Sequence, residues 1–169
     1  MSRICIVLVL VTISCGGAQV SVPTDAGRPP VADQYVGRWR GTTSRVLTCT
    51  GKGPAHTGIS DIRLTKTAAS ALSASATIPI DTKGGQSQCS GLEVVATASA
   101  ATFSGSVPCS FQPDPLVEAR HTATILSVEL LGPDELNFTF KTSVAVRTVP
   151  TNSTDQCSAE VTGRLSRVP

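Results

Sequence analysis

A chain of 169 residues carrying 14 Lys and Arg against 12 Asp and Glu has a net charge of only +2, and charged residues make up just 15% of it. That balance gives no electrostatic grip on nucleic acid and no basic run for an anionic lipid surface. Thr, Ser, Val and Ala abound while helix-favouring Glu, Lys and Met are scarce, a bias toward strands.

The N-terminus reads as a targeting segment. Arg3 precedes an apolar run from Ile4 to Ile13, about ten residues where a spanning helix needs ~20. It suits the hydrophobic region of a signal peptide, assigned to residues 1–14. Ser14-Cys15-Gly16-Gly17 resembles a lipobox, the site cut before a cysteine that carries a lipid; Thr12 departs from the aliphatic residue that such sites favour. The resemblance implies attachment to a membrane through lipid on Cys15, and the glycine after it implies an outer-membrane destination. The alternative is ordinary cleavage after Ala18, which would leave a periplasmic or secreted protein. Residues 15–33, with Pro23, Gly27, Pro29 and Pro30, read as a tether. Residues 34–169 then form one domain of roughly 135 residues, enough for a single core.

Along that domain, period-2 alternation recurs. After a first strand around Trp39, the apolar faces are Ile62 and Leu64; Leu72, Ala74, Ala76, Ile78 and Ile80; Leu92, Val94, Ala96 and Ala98; then Ala101, Phe103 and Val107. Thr124, Leu126, Val128 and Leu130 follow, then Leu136, Phe138, Phe140, Thr142, Val144 and Val146, and last Cys157, Ala159, Val161 and Leu165. Turn signals at Gly51-Lys52-Gly53-Pro54, Lys83-Gly84-Gly85, Pro113-Asp114-Pro115 and Gly132-Pro133-Asp134 separate most of them. The expected fold is all-β, an antiparallel up-and-down barrel of about eight strands, because closure removes the edges of such a meander. A two-layer β-sandwich is the alternative.

Cys49, Cys89, Cys109 and Cys157 remain after the signal and the lipid site, an even number in an oxidising compartment. None form the close pairs of a zinc site. Folding 92–98 back on 101–107 brings Cys89 nearly opposite Cys109. Cys49 meets Cys157 only if the first and last strands are neighbours, as barrel closure makes them.

Candidates for chemistry are few. His56, expected in a loop, and His121, at the start of a strand, lie in no nucleophile-elbow context. Glu118 with Glu129, or Asp134 with Glu135, would be the carboxylate pairs of a glycosidase, but one Trp and one Tyr offer little surface for sugars. Lys83-Gly84-Gly85 precedes no helix that could hold a phosphate. The sequons at Asn137 and Asn152 matter only in a eukaryotic secretory pathway. The reading is a non-enzyme with no catalytic residue, metal or cofactor.

Gly37-Arg38-Trp39 in the first strand and a basic residue in the last, Arg164 or Arg167, resemble the signature of lipocalins and their calycin relatives. The resemblance implies a barrel whose closed end is plugged by Trp39 under an arginine. Two functions follow as expectations. One is a barrel binding a small apolar ligand in the space left by its inward alanines, Ala74, Ala76, Ala96, Ala98 and Ala101. The other is an interaction or inhibitor module facing another envelope protein through the loops 51–58, 112–119 and 149–156, and a structural envelope protein is a third, plainer role.

Overall fold

The computed structural model describes residues 31–80, 85–111, 117–148 and 153–169. The expected signal peptide, Cys15 and most of the tether lie outside them, as do residues 112–116 and 149–152 of the two later candidate loops. Eight strands, β1 Gly37–Thr48, β2 Lys52–Ala68, β3 Ala71–Pro79, β4 Gln86–Ala96, β5 Ala101–Phe111, β6 Val117–Gly132, β7 Glu135–Thr148 and β8 Ser153–Val168, follow a 3-10 helix at Val31–Gln34. Each strand pairs antiparallel with the next, and β8 returns to β1, so the sheet is a closed up-and-down barrel and not a sandwich.

Alternation determines which side chains fill it. Trp39, Ile62, Leu64, Leu72, Ile78, Leu92, Val94, Leu126, Val128, Leu136, Phe138 and Phe140 form one contiguous core. Outward rows carry Arg38, Arg40, Arg63, Glu93 and Glu160, all exposed. An apolar interior under a polar exterior is the reverse of a lipid-spanning barrel. Ala74, Ala76, Ala96 and Ala101 belong to the same core as the large side chains.

Four sequence expectations need correction. Ala98 points to solvent, because β4 ends at Ala96 and residues 97–100 make the turn. There Thr97 N donates to the Ala100 carbonyl at 2.8 Å, and its hydroxyl accepts from Ala100 N at 3.1 Å. Thr124 is not an inward residue of the Leu126 row: the β6–β7 register slips between Ala123 and Ile125, so Ala123 and His121 face inward before the slip and Leu126 and Val128 after it. The 51–58 segment is mostly strand, with β2 already paired from Lys52. Finally, the tether was expected to run to residue 33, yet Ala32 is fully buried in the core.

The seam between β1 and β8 joins the most distant parts of the described chain. Two glycines let it close. A Cβ on Gly41 would lie 2.2 Å from the Arg164 carbonyl oxygen, and one on Gly163 would lie 2.7 Å from that of Thr42. Backbone cannot retreat here without parting the strands. Gly41→Ala or Gly163→Ala is therefore expected to cost about 1–3 kcal/mol in urea unfolding. Gly132→Ala, with open space around it, should stay within about 0.5 kcal/mol of wild type. Equal effects at the three positions would refute close packing at the seam.

Candidate functional site at the barrel mouth

The two ends of the barrel differ in chemistry. At one end, Gly37 has φ +140°, and a Cβ there would meet Arg167 Nη1 at 2.9 Å. Glycine therefore supplies both the backbone angle and the room. The Arg167 guanidinium lies 4.2 Å from the centre of the Trp39 ring. It donates to the carbonyls of Val36, Gln34 and Pro133. Trp39 is 0% exposed, and its Nε1 donates to the Tyr35 carbonyl at 2.9 Å. Tyr35 in turn donates from its hydroxyl to the Thr97 carbonyl at 3.1 Å; burial, with Glu129 second, raises its pKa. Of the two arginines that the sequence left open, Arg167 takes the closing position. Arg164 points outward, 71% exposed, with Glu135 at 3.8 Å. This end is a plug, and its residues are engaged in holding it shut.

The opposite end is a mouth with a polar lining. Thr43, Arg45 and Leu47 follow Trp39 on the inward row of β1. Arg45 lies directly across the ladder from His56 of β2, and on its other side from Val161 of β8. Arg45 is only 5% exposed. One of its terminal nitrogens donates to the Ile80 carbonyl. A cavity of about 310 Å³ opens here, lined by Arg45, Leu47, Cys49, Pro54, His56 and Ile80. The Cys49–Cys157 disulfide ties β1 to β8 at this rim. Cys89–Cys109 bridges β4 and β5, the pairing that the strand register favoured.

On the inward faces of β6 and β7, outside the lining of that cavity, stand His121 and Thr142, 4% and 2% exposed. His121 stacks on Phe111 with ring centres 5.3 Å apart. Its Nδ1 and the Thr142 hydroxyl are buried without a hydrogen-bond partner among the described residues. Thr43 and Ser60 complete the polar layer, their hydroxyls 2.7 Å apart. Both histidines of the chain thus occupy the mouth half, although His56 sits in a strand and not in a loop. Among the described residues, no three His, Cys, Asp or Glu side chains converge as a metal site. Of the carboxylate pairs, Asp134 and Glu135 contact Arg167 and Arg164 at the plugged end, and the side chain of Glu118 lies outside the described residues.

Burial, and secondarily the charge of Arg45, push the His121 pKa down to about 4. Above pH ~6.5 the imidazole is neutral in folded and unfolded chains alike and does not affect their balance. Between ~6.5 and about 4 only the unfolded chain takes up the proton, so stability falls as pH falls through that window. The full effect is about 3 kcal/mol. His121→Phe should flatten this part of the stability–pH curve relative to wild type. Parallel curves for the two proteins would show that His121 is not held neutral by the fold.

Arg45 was missed in the sequence, although a signal was present: counting by twos from Trp39 places it on the inward row.

No family model and no curated protein matches the chain. Solved structures similar to it include a redesigned beta barrel, at 13% identity over 83% of this chain and 96% of that one, TM-score 0.38. A Bacteroides fragilis chain named a "putative outer membrane protein" is 16% identical over 81% of this chain and 53% of that one, TM-score 0.46. An S-type phycobiliprotein lyase from Guillardia theta is 12% identical over 82% and 90%, TM-score 0.31. These are likenesses of chain path at low identity, and the barrel assignment stands on its own strand pairing.

Proposed function

We propose that this protein is an exported, non-enzymatic binding module of the cell envelope, tethered through lipid on Cys15, whose lipocalin-like barrel takes a small molecule at its mouth. The observation that carries the reading is the pairing of a plugged end with a lined cavity at the other, where a buried guanidinium faces Leu47, Pro54 and Ile80. Two disulfides fit an oxidising compartment. The filled lower core argues for a ligand near the rim and against one lying deep among the alanines.

Native mass spectrometry of protein extracted gently from its own envelope tests this. The expected species begins at an acylated Cys15, lacks four protons for its two disulfides, and carries a small-molecule adduct. A start at Gln19 would sink the lipid anchor. Absence of any adduct in protein that retains both disulfides would sink the binding role.

A second reading, an interaction module, draws on a groove of about 560 Å³ over β6, β7, β8 and β1, whose lining includes Thr48, Thr124, Lys141, Thr142, Ser158 and Glu160. A protein-sized adduct in the same spectrum would favour it.

A further inference from the structure

We infer that the Cys49–Cys157 disulfide is a reducible latch on the barrel mouth: a dithiol opens it by attack at the Cys49 sulfur, and the cavity wall then loosens. The latch goes beyond the mouth-binding reading above, and only its effect on a bound guest rests on that reading. Three observations set this bridge apart from Cys89–Cys109.

Access comes first. Cys49 is exposed and forms part of the cavity wall, whereas its partner Cys157 is 6% exposed. In the other bridge, Cys89 is 1% exposed and belongs to the main core, and the half-buried Cys109 packs against that core. A thiolate must reach a disulfide sulfur to exchange with it, so exposed bridges are the labile ones.

Backbone support is the second difference. The β1–β8 ladder ends at the pair Thr48 and Ser158. Among the described residues no ladder pair reaches Cys49, and its disulfide is what ties it to β8. Cys157 is held independently, opposite Val144 of β7. Cys89 and Cys109 both lie inside strands, opposite Ala76 of β3 and His121 of β6. Opening their bridge would free no segment.

Third, the segment released with Cys49 is itself cavity wall. Cys49 N donates to the Gly51 carbonyl at 3.2 Å in the turn that leads into β2. Gly51, Gly53 and Pro54 line the cavity with Cys49. The β1–β2 register is irregular between Val46 and Thr48, so regular pairing is interrupted just where this turn begins. Local opening follows weak backbone support of that kind. Arg167 over Trp39 still closes the far end.

The chemistry is ordinary thiol–disulfide exchange. One thiolate of the dithiol bonds to Cys49 Sγ, the protein S–S bond breaks, and Cys157 leaves as a thiolate that takes up a proton. The second thiol, deprotonated, then attacks the mixed disulfide and releases Cys49, which is protonated in turn. The bridge gains two electrons and two protons, and the dithiol becomes a disulfide.

The experiment treats the full, folded protein with limiting dithiothreitol, traps freed thiols with iodoacetamide and locates them by peptide mass spectrometry. Cys49 and Cys157 should be labelled at least tenfold faster than Cys89 and Cys109. Glutathione, a monothiol, should be caught as a mixed disulfide on Cys49 and not on Cys157. In protein reduced at this bridge alone, the amides of Leu47, Cys49 and Gly51 should exchange at least tenfold faster. Those of Phe138 and Phe140 should stay protected, and reoxidation should reverse the change. Equal labelling of all four cysteines, or faster labelling of Cys89 and Cys109, would overturn the latch. So would glutathione on Cys157, unchanged exchange at 47–51, or loss of the whole barrel on opening this bridge. None of these readouts uses a guest, so their failure leaves mouth binding standing. Protein from the native envelope should also shed its small-molecule adduct on selective reduction. An adduct retained through reduction would overturn the latch's effect on the guest, whereas no adduct before reduction would remove mouth binding and leave the latch.

Discussion

Arg167→Ala is expected to lower the stability of the barrel by about 3 kcal/mol, while Arg164→Ala, three residues earlier on the same strand, should change it by less than about 0.5 kcal/mol. The two side chains share charge, length and strand, and differ in what they touch. Arg167 donates to three carbonyls on two separate segments, Gln34 and Val36 before β1 and Pro133 between β6 and β7. It also covers the face of Trp39. Hydrogen bonds from a charged donor contribute about 1.5–3 kcal/mol each, and a partly desolvated cation–π contact about 1–2 kcal/mol. These terms share one side chain, and the freed carbonyls are rewetted, so their simple sum overstates the loss. Arg167→Lys should recover less than half, because an ammonium cannot span the three acceptors from one plane. The chain has a single Trp, so its fluorescence reports this end alone. The emission of Arg167→Ala should shift to the red before global unfolding. Equal urea midpoints for the alanine variants at 164 and 167 would refute the clamp.

The same residues show what the sequence made legible. The row Leu136, Phe138, Phe140, Thr142 and Val144 could be read directly, because a strand half-buried over its whole length writes its period plainly; all five are buried. Hairpin order followed from turn residues, and strand order then set the disulfide register. What remained hidden was nonlocal or small. A single extra residue at Thr124 reverses the face of β6, and periodicity counted from Leu126 back through Thr124 carries the error into the residues before it. The closing arginine was legible but left undecided: Arg167 continues the inward row of Cys157, Ala159, Val161 and Leu165 and pairs with Trp39, whereas Arg164 has the opposite parity. Gly41 and Gly163 look like strand weaknesses until the seam is assembled. Arg45 and His56 lie eleven positions apart, but the β1–β2 ladder sets them side by side. His121 and Thr142, on β6 and β7, lie outside the lining of that cavity. The candidate site is thus a product of closure, and of the site as assembled only its parity was present in the chain.

Closure itself depends on a pairing whose loop entropy is the largest in the fold, since β1 meets β8 across most of the described chain. Removing Cys49–Cys157, as Cys49→Ser with Cys157→Ala, should therefore have the largest effect of any crosslink change. The bridge spans 108 residues, against 20 for Cys89–Cys109. In the chain-entropy model these loops contribute about 5 and about 3 kcal/mol. Alanine at 157 avoids leaving a hydroxyl at a buried position. The expected consequence is also directional. Arg167 and Trp39 still hold one end of the seam, so opening should start at the mouth and run along β1 and β8 toward Gly41 and Gly163. Amide exchange should accelerate first at Arg45, Leu47, Ala159 and Val161, and leave the β6–β7 hairpin protected. Because Arg45 and Leu47 line the cavity, ligand binding should weaken in step with this local opening. Uniform acceleration across all eight strands would mean that the disulfide acts only on the unfolded chain. A loss no larger than that from removing Cys89–Cys109 would mean that the β1–β8 pairing closes the barrel without needing a staple.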